Sequence, residues 1–133
     1  MARCSRSGYL VDVSAGERPL SAEERAVIMA LLAQDFPGAG GLRAQVPFAT
    51  VTGGCGCGCA TVDLRVRKDP HALAAPVQDG MLISATVRGR NDGVLLFTKD
   101  GRLSCLEVYS AEDDPASLPR PEDLFVDRSD PGP

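Results

Sequence analysis

The sequence predicts a two-layer α+β domain in which one main N-terminal amphipathic helix packs on a mostly antiparallel sheet of about five strands. Three observations lead to this prediction. A helix-start signal at Ser21 precedes apolar residues at helical spacing, the apolar spacing changes to two after residue 46, and short turn signals separate the later apolar runs. A chain of 133 residues fits one domain with a single hydrophobic core.

The helix is predicted from its first turn. Ser21 and Glu24 have the spacing of a capping box, in which each side chain satisfies the other residue's backbone amide. One apolar stripe follows, formed by Val27, Ile28, Leu31 and Leu32. We expect the helix to run to about Gln34. Asp35-Phe36-Pro37-Gly38 should end it, with Asp35 capping a second short turn that reaches toward Leu42 and Gln45.

The strands are predicted from alternation and β-forming residues, over residues 46–52, 61–67, 81–88, 94–98 and 103–109. Asn91-Asp92-Gly93 and Lys99-Asp100-Gly101 are hairpin signals, because Asn and Gly tolerate positive φ. Short turns of this kind join antiparallel neighbours, so the last three strands should form a meander.

The chain ends are predicted to be less regular than its middle. Residues 1–19 are interpreted as a flexible arm, with a short strand over residues 9–13 as the alternative. Residues 20–126 form the single domain, and residues 127–133 form a disordered tail. The acidic, proline-rich region after residue 111 should lie on the surface, where residues 124–126 are the part expected to dock.

Charge and composition exclude several classes of function. The formal net charge of −4 and the absence of a basic patch argue against a nucleic-acid partner. No apolar segment approaches the ~18 residues of a membrane span, and no signal peptide is recognised. Five cysteines, three of them within five residues, do not resemble a secreted disulfide framework, so we expect a cytoplasmic protein.

The run Cys55-Gly56-Cys57-Gly58-Cys59 is the most distinctive chemical feature, and it is expected at or beside a hairpin tip. Sulfurs around one tetrahedral ion lie roughly 3.8 Å apart, whereas alternate residues of a straight strand are nearly ~7 Å apart. The three thiolates therefore share an ion only if the chain curls, which the interleaved glycines permit. Zinc or Cu(I) is the metal that such a site favours. The fourth ligand would be a water or one of three side chains, Cys105, His71 or Asp63.

Two other interpretations of the cysteine run stay open. It can be a thiol redox site, although no predicted helix start or adjacent cation activates a thiolate there. It can also be a tight turn filled by small residues, with cysteine acting as a small apolar side chain. Elsewhere, His71 is the only histidine and lies in a predicted loop, and Glu107 is either a buried carboxylate or a residue on a solvated strand face.

Three segments together resemble a family of small uncharacterised actinobacterial proteins. They are residues 26–36 with Pro37-Gly38, the run from Cys55 to Asp63, and the stretch from Leu103 to Tyr109. The resemblance covers about residues 20–125 and implies a bacterial, cytoplasmic protein without implying an activity. In size and acidity the chain is also similar to bacterial immunity proteins, which neutralise a toxin by binding its surface.

The sequence therefore favours a non-enzymatic, cytoplasmic protein that binds an unidentified protein partner, with the cysteine run as a structural zinc site. A thiol-dependent redox protein that uses the same cysteines is the alternative, and an immunity-protein-like toxin binder is a further one. An exposed strand edge also offers a route to a homodimer through sheet extension.

Overall fold

The computed structural model describes residues 17–54, 60–110 and 117–127. Within these residues, seven strands form one sheet in the order β1-β2-β3-β6-β5-β4-β7, and every pair of neighbours is antiparallel. The strands are β1 (Arg18–Pro19), β2 (Ala49–Gly54), β3 (Val62–Val66), β4 (Gly80–Val87), β5 (Asp92–Lys99), β6 (Arg102–Ser110) and β7 (Leu124–Asp127). The helices are α1 (Ala22–Leu31) and α2 (Ala39–Gln45), with short 3₁₀ turns at Val46–Phe48 and Pro121–Asp123.

The expected architecture of one main helix on about five strands is wrong. The described chain is mostly β, with seven strands in one sheet and two short helices. A strand is present in each of the five predicted regions, but the first begins only at Ala49, because Val46–Phe48 form a 3₁₀ turn. Each edge of the sheet also carries a strand that the sequence did not reveal. β1 pairs with β2 at one edge, and β7 pairs with β4 at the other.

The start of α1 follows the predicted capping box. The Glu24 amide donates to Ser21 Oγ at 3.0 Å, and the Ser21 amide donates to Glu24 Oε1 at 2.9 Å. Arg18 adds two hydrogen bonds of 2.9 and 2.8 Å to the same carboxylate, which joins β1 to the helix. Burial alone would raise the pKa of Glu24, but the hydrogen bonds and positive charge of Arg18 and the Ser21 amide outweigh it. The pKa of Glu24 is lowered as a result.

The predicted boundaries after α1 need correction. The helix ends at Leu31, before Gln34, and the following helix α2 begins after Gly38 instead of being capped by Asp35. Gly38 has φ +95°, so the chain turns sharply between the two helices. Arg43 of α2 then donates to the Leu32 carbonyl, which satisfies an acceptor at the end of α1.

One face of the sheet, called here the inner face, packs against the helices. The apolar residues of α1 and α2 that reach it are buried, as are alternate residues of the strands, and these include Ile28, Leu31, Leu42, Val51, Leu64, Ile83, Val94, Leu96 and Leu106. Antiparallel partners point to the same side of a sheet, so the pairing register assigns the remaining strand residues to the opposite, outer face. No helix among the described residues is long and apolar enough to cross a membrane.

The two predicted hairpin turns had different outcomes. Asp100 and Gly101 form the tight connection between β5 and β6 with φ of 53° and 76°, as a type I′ turn requires. The prediction at Asn91-Asp92-Gly93 is displaced, because Asp92 already begins β5 and the connection is made by residues 88–91. Gly93 lies within the strand for a different reason. The ring of its cross-strand partner Tyr109 covers it so closely that an added Cβ would lie 2.3 Å from that ring.

Candidate functional site

The predicted metal ligands Cys55, Cys57 and Cys59 lie outside the described residues. The described chain on either side of them belongs to two paired strands, since Gly54 at the end of β2 is the partner of Val62 at the start of β3. The connection that carries the cysteines therefore joins neighbouring antiparallel strands.

Thr61 fixes the point where the chain enters β3. Its side-chain oxygen donates to the Val108 carbonyl at 3.1 Å and accepts from the Val108 amide at 2.9 Å, and the residue is 1% exposed. A threonine hydroxyl can do both, because it has one proton and two lone pairs. This pair of bonds ties the base of the cysteine-bearing connection to β6.

Cys105 lies on the outer face of β6, near that same connection. Its Cα partners are Asp63 on β3 and Phe97 on β5, and it is 4% exposed. It is buried without belonging to the main apolar core, which lies on the inner face. Of the candidate fourth ligands, Cys105 and Asp63 are therefore neighbours.

His71 lies in a different part of the fold. It follows the far end of β3, where Val66 pairs with Ala49, whereas the cysteine-bearing connection precedes the near end. Its side chain is 84% exposed, and its Nδ1 lies 3.0 Å from Asp69 Oδ1. The Asp69 carboxylate also accepts from the His71 amide at 2.8 Å, which, with the His71 ring, lowers the pKa of Asp69. The contacts of His71 are those of a turn residue.

The structure thus brings Cys105 and Asp63 together but not His71. Within residues 17–54, 60–110 and 117–127, no three His, Cys, Asp or Glu side chains are grouped to hold a metal ion. Glu107, which the sequence left as either buried or solvated, is 3% exposed on the outer face beside Leu95.

The outer face also carries an apolar surface that the sequence analysis missed. Met81 and Phe125 are 50% and 55% exposed, and Leu95 and Phe97 lie half-buried between their strands. The register assigns all four to the outer face, because Met81 pairs with Phe97, and Phe125 pairs with Thr86. We call Met81, Leu95, Phe97 and Phe125 the outer patch.

A positively charged side chain, Arg88, lies beside the outer patch next to Phe125 of β7. The Arg88 guanidinium lies 4.9 Å from the centre of the Phe125 ring, within the range of a cation–π contact. This contact places a cation beside an exposed aromatic ring on a strand at the edge of the sheet. A signal for the patch was present in the sequence, since residues 94–97 are apolar at four successive positions and therefore place apolar side chains on both faces of the strand.

Comparison with known proteins does not assign a family or a function to the chain. No protein-family model matches the chain, and no curated protein or solved structure is significantly similar to it.

Proposed function

We propose that this protein is a non-enzymatic, cytoplasmic protein-binding domain whose contact surface is the outer face of the sheet. The observation that carries the proposal is the outer patch, where two large apolar side chains that are at least half exposed flank two half-buried ones. An isolated exposed apolar residue is ordinary, but several on one face mark an interaction surface. Aromatic side chains and methionine are also enriched in the centres of protein interfaces.

Site-specific photo-crosslinking in cells of the source organism tests this proposal. A benzophenone amino acid replaces Phe125 or Met81 in turn, and Leu73 serves as the matched control, because it is 66% exposed but lies outside the sheet. We expect one discrete adduct from positions 81 and 125 and none from position 73. The adduct should be lost from the position-81 protein when Phe125→Ser is added, since removing an aromatic anchor typically weakens a complex by about 2 kcal/mol or more.

Two results would contradict the proposal. Equal adducts from position 73 would show that any exposed apolar residue is captured. No adduct from positions 81 and 125, with the protein folded, would show that the outer patch has no partner. An adduct between two copies of this chain would show that the partner is a second copy, which is the homodimer alternative.

The structural zinc site is a second part of the proposal. We place Cys105 beside the cysteine run as its fourth ligand in preference to His71, on the ground that Cys105 neighbours Asp63 while His71 follows the opposite end of β3. Three thiolates and a fourth sulfur make a closed, tetrahedral structural site.

The metal content of two variants shows whether Cys105 or His71 is the fourth ligand. We expect protein purified without added metal to carry nearly one equivalent of zinc, and Cys105→Ser to reduce that content while His71→Ala leaves it unchanged. Chelation should lower the melting temperature of the wild-type protein, because metal binding to the folded state contributes to its stability. Metal-free wild-type protein, or loss of zinc in the His71 variant alone, would contradict this assignment.

A further inference from the structure

Three cations lie at one end of the outer face. Lys99 and Arg102 are Cα partners next to the β5–β6 turn. The next pair away from the turn, Thr98 and Leu103, is 1% and 2% exposed on the inner face. Successive residues of a strand alternate between faces, so Lys99 and Arg102 belong to the outer face. Arg65 alternates with the buried Leu64 and Val66 of β3 and shares this face. We call Lys99, Arg102 and Arg65 the basic row.

Two members of the basic row, Lys99 and Arg102, are not neutralised by the described part of the chain. Lys99 and Arg102 form no ion pair with any described carboxylate, and Arg102 Nε is buried without a hydrogen-bond acceptor there. Arg65 is partly compensated by Glu17, whose Oε2 lies 3.8 Å from its guanidinium. Asp100 in the adjoining turn is exposed, and the Asp79 carboxylate binds the Asp100 amide.

Two like charges directly opposite each other destabilise a pair of strands. Here such a pair is present in a protein of net charge −4, where acidic side chains outnumber basic ones 18 to 14. A partner carboxylate placed between Lys99 and Arg102 would relieve the repulsion and would accept hydrogen bonds from both. The Phe97 and Met81 side chains of the outer patch lie immediately next to this pair along β5 and β4.

We infer that the partner of the outer face is an acidic protein segment, whose carboxylates bind Lys99 and Arg102 while its apolar side chains pack on Phe97 and Met81. This inference rests on the proposed function and specifies the chemistry of the partner. A nucleic acid is the less favoured occupant. Three cations neutralise few phosphates of an extended polyanion, whereas a short acidic segment brings only a few carboxylates to this end of the outer face.

Nuclear magnetic resonance titration of the isotope-labelled full chain tests the inference with a defined probe. The probe is a capped peptide of alternating glutamate and leucine, and the matched peptide has glutamine in place of glutamate. We expect the acidic peptide to shift the amide signals of Phe97, Lys99 and Arg102, and to bind about tenfold more weakly at high salt. The glutamine peptide should bind at least about tenfold more weakly at low salt.

A pair of charge-matched variants separates the basic row from net charge. The double variant Lys99→Gln/Arg102→Gln should bind the acidic peptide about tenfold more weakly. Arg25→Gln/Lys68→Gln removes two exposed cations that do not belong to the basic row and should bind as the wild type does. The melting temperature of Lys99→Gln/Arg102→Gln should not fall, because the substitution removes a repulsive pair.

Three outcomes would overturn the inference. They are an equal loss of binding in the two double variants, no shift at millimolar peptide, and tighter binding of an oligouridylate than of the acidic peptide. The proposed function is judged separately by photo-crosslinking. Photo-crosslinking at positions 81 and 125 can capture a protein whose affinity changes neither with salt nor with Lys99→Gln/Arg102→Gln. That result would support the proposed function and reject the acidic partner.

Discussion

Replacing Gln45 with leucine is expected to lower the free energy of unfolding by about 3 kcal/mol, because it removes three hydrogen bonds at once, two of them buried. Gln45 is fully buried at the end of α2. Its Nε2 donates to the carbonyls of Leu73 and Gly101 at 2.9 and 2.8 Å, and its Oε1 accepts from the Leu103 amide at 3.1 Å. One side chain therefore links α2 to the loop after β3 and to the β5–β6 turn.

Leucine is apolar and cannot bond to any of these backbone groups. The buried Leu103 amide loses its acceptor, and an unsatisfied buried backbone group costs roughly 1–3 kcal/mol. The Gly101 carbonyl keeps the Ala75 amide as a donor, and the Leu73 carbonyl regains part of its loss from water because that residue is exposed. Chemical denaturation of the variant measures the loss. The matched control is Gln78→Leu, an exposed glutamine for which we expect a change within about 0.5 kcal/mol. Equal effects at positions 45 and 78 would show that the three bonds contribute nothing net.

The local elements of this fold were predictable because their signals are local. The capping box of Ser21 and Glu24 lies within four residues, and it forms as expected. The alternation of Val62, Leu64 and Val66 likewise places β3 and its buried face correctly. Such patterns need no knowledge of what the element packs against.

The two edge strands had no comparable signal. β1 has two residues and one of them is Pro19, so no alternation is available to identify it. β7 has four residues, and its partner β4 ends at Val87, far back along the chain. Pairing between residues so far apart in the chain depends on how the whole sheet assembles. The local periodicity of the sequence carries no information about that assembly.

The outer face was missed for a related reason, which is the presence of bulges. Strict alternation back from the buried Ile83 would place Met81 on the inner face, but the register shifts between them and pairs Met81 with Phe97. The shift opposite Phe97 and Thr98 likewise turns Leu103 inward and Arg102 outward. A bulge inserts one residue, and one residue exchanges the two faces of a strand. Met81 of the outer patch and Arg102 of the basic row owe their position on the outer face to these shifts.

The β5–β6 turn also packs against the loop after β3. Its Gly101 carbonyl is the one that accepts a hydrogen bond from Gln45. An added Cβ at Gly101 would lie 2.5 Å from the Ala75 carbonyl oxygen and 3.0 Å from the Ala75 nitrogen. The same loop is bonded to the turn, since the Ala75 amide donates to the Gly101 carbonyl at 2.7 Å. Neither backbone can move away without breaking this bond.

Gly101→Ala is accordingly expected to destabilise the protein by about 3 kcal/mol, of which about 1 kcal/mol comes from positive φ alone. Gly89→Ala measures that conformational part, because Gly89 has φ +74°, close to the +76° of Gly101, and nothing lies within 4 Å of its added Cβ. The excess at position 101 over position 89 is then the cost of the backbone clash. Equal losses in unfolding free energy for the two variants would mean that the loop after β3 yields to the new methyl group. In that case the β5–β6 turn, and with it the Lys99–Arg102 pair, would not be held in place by that loop.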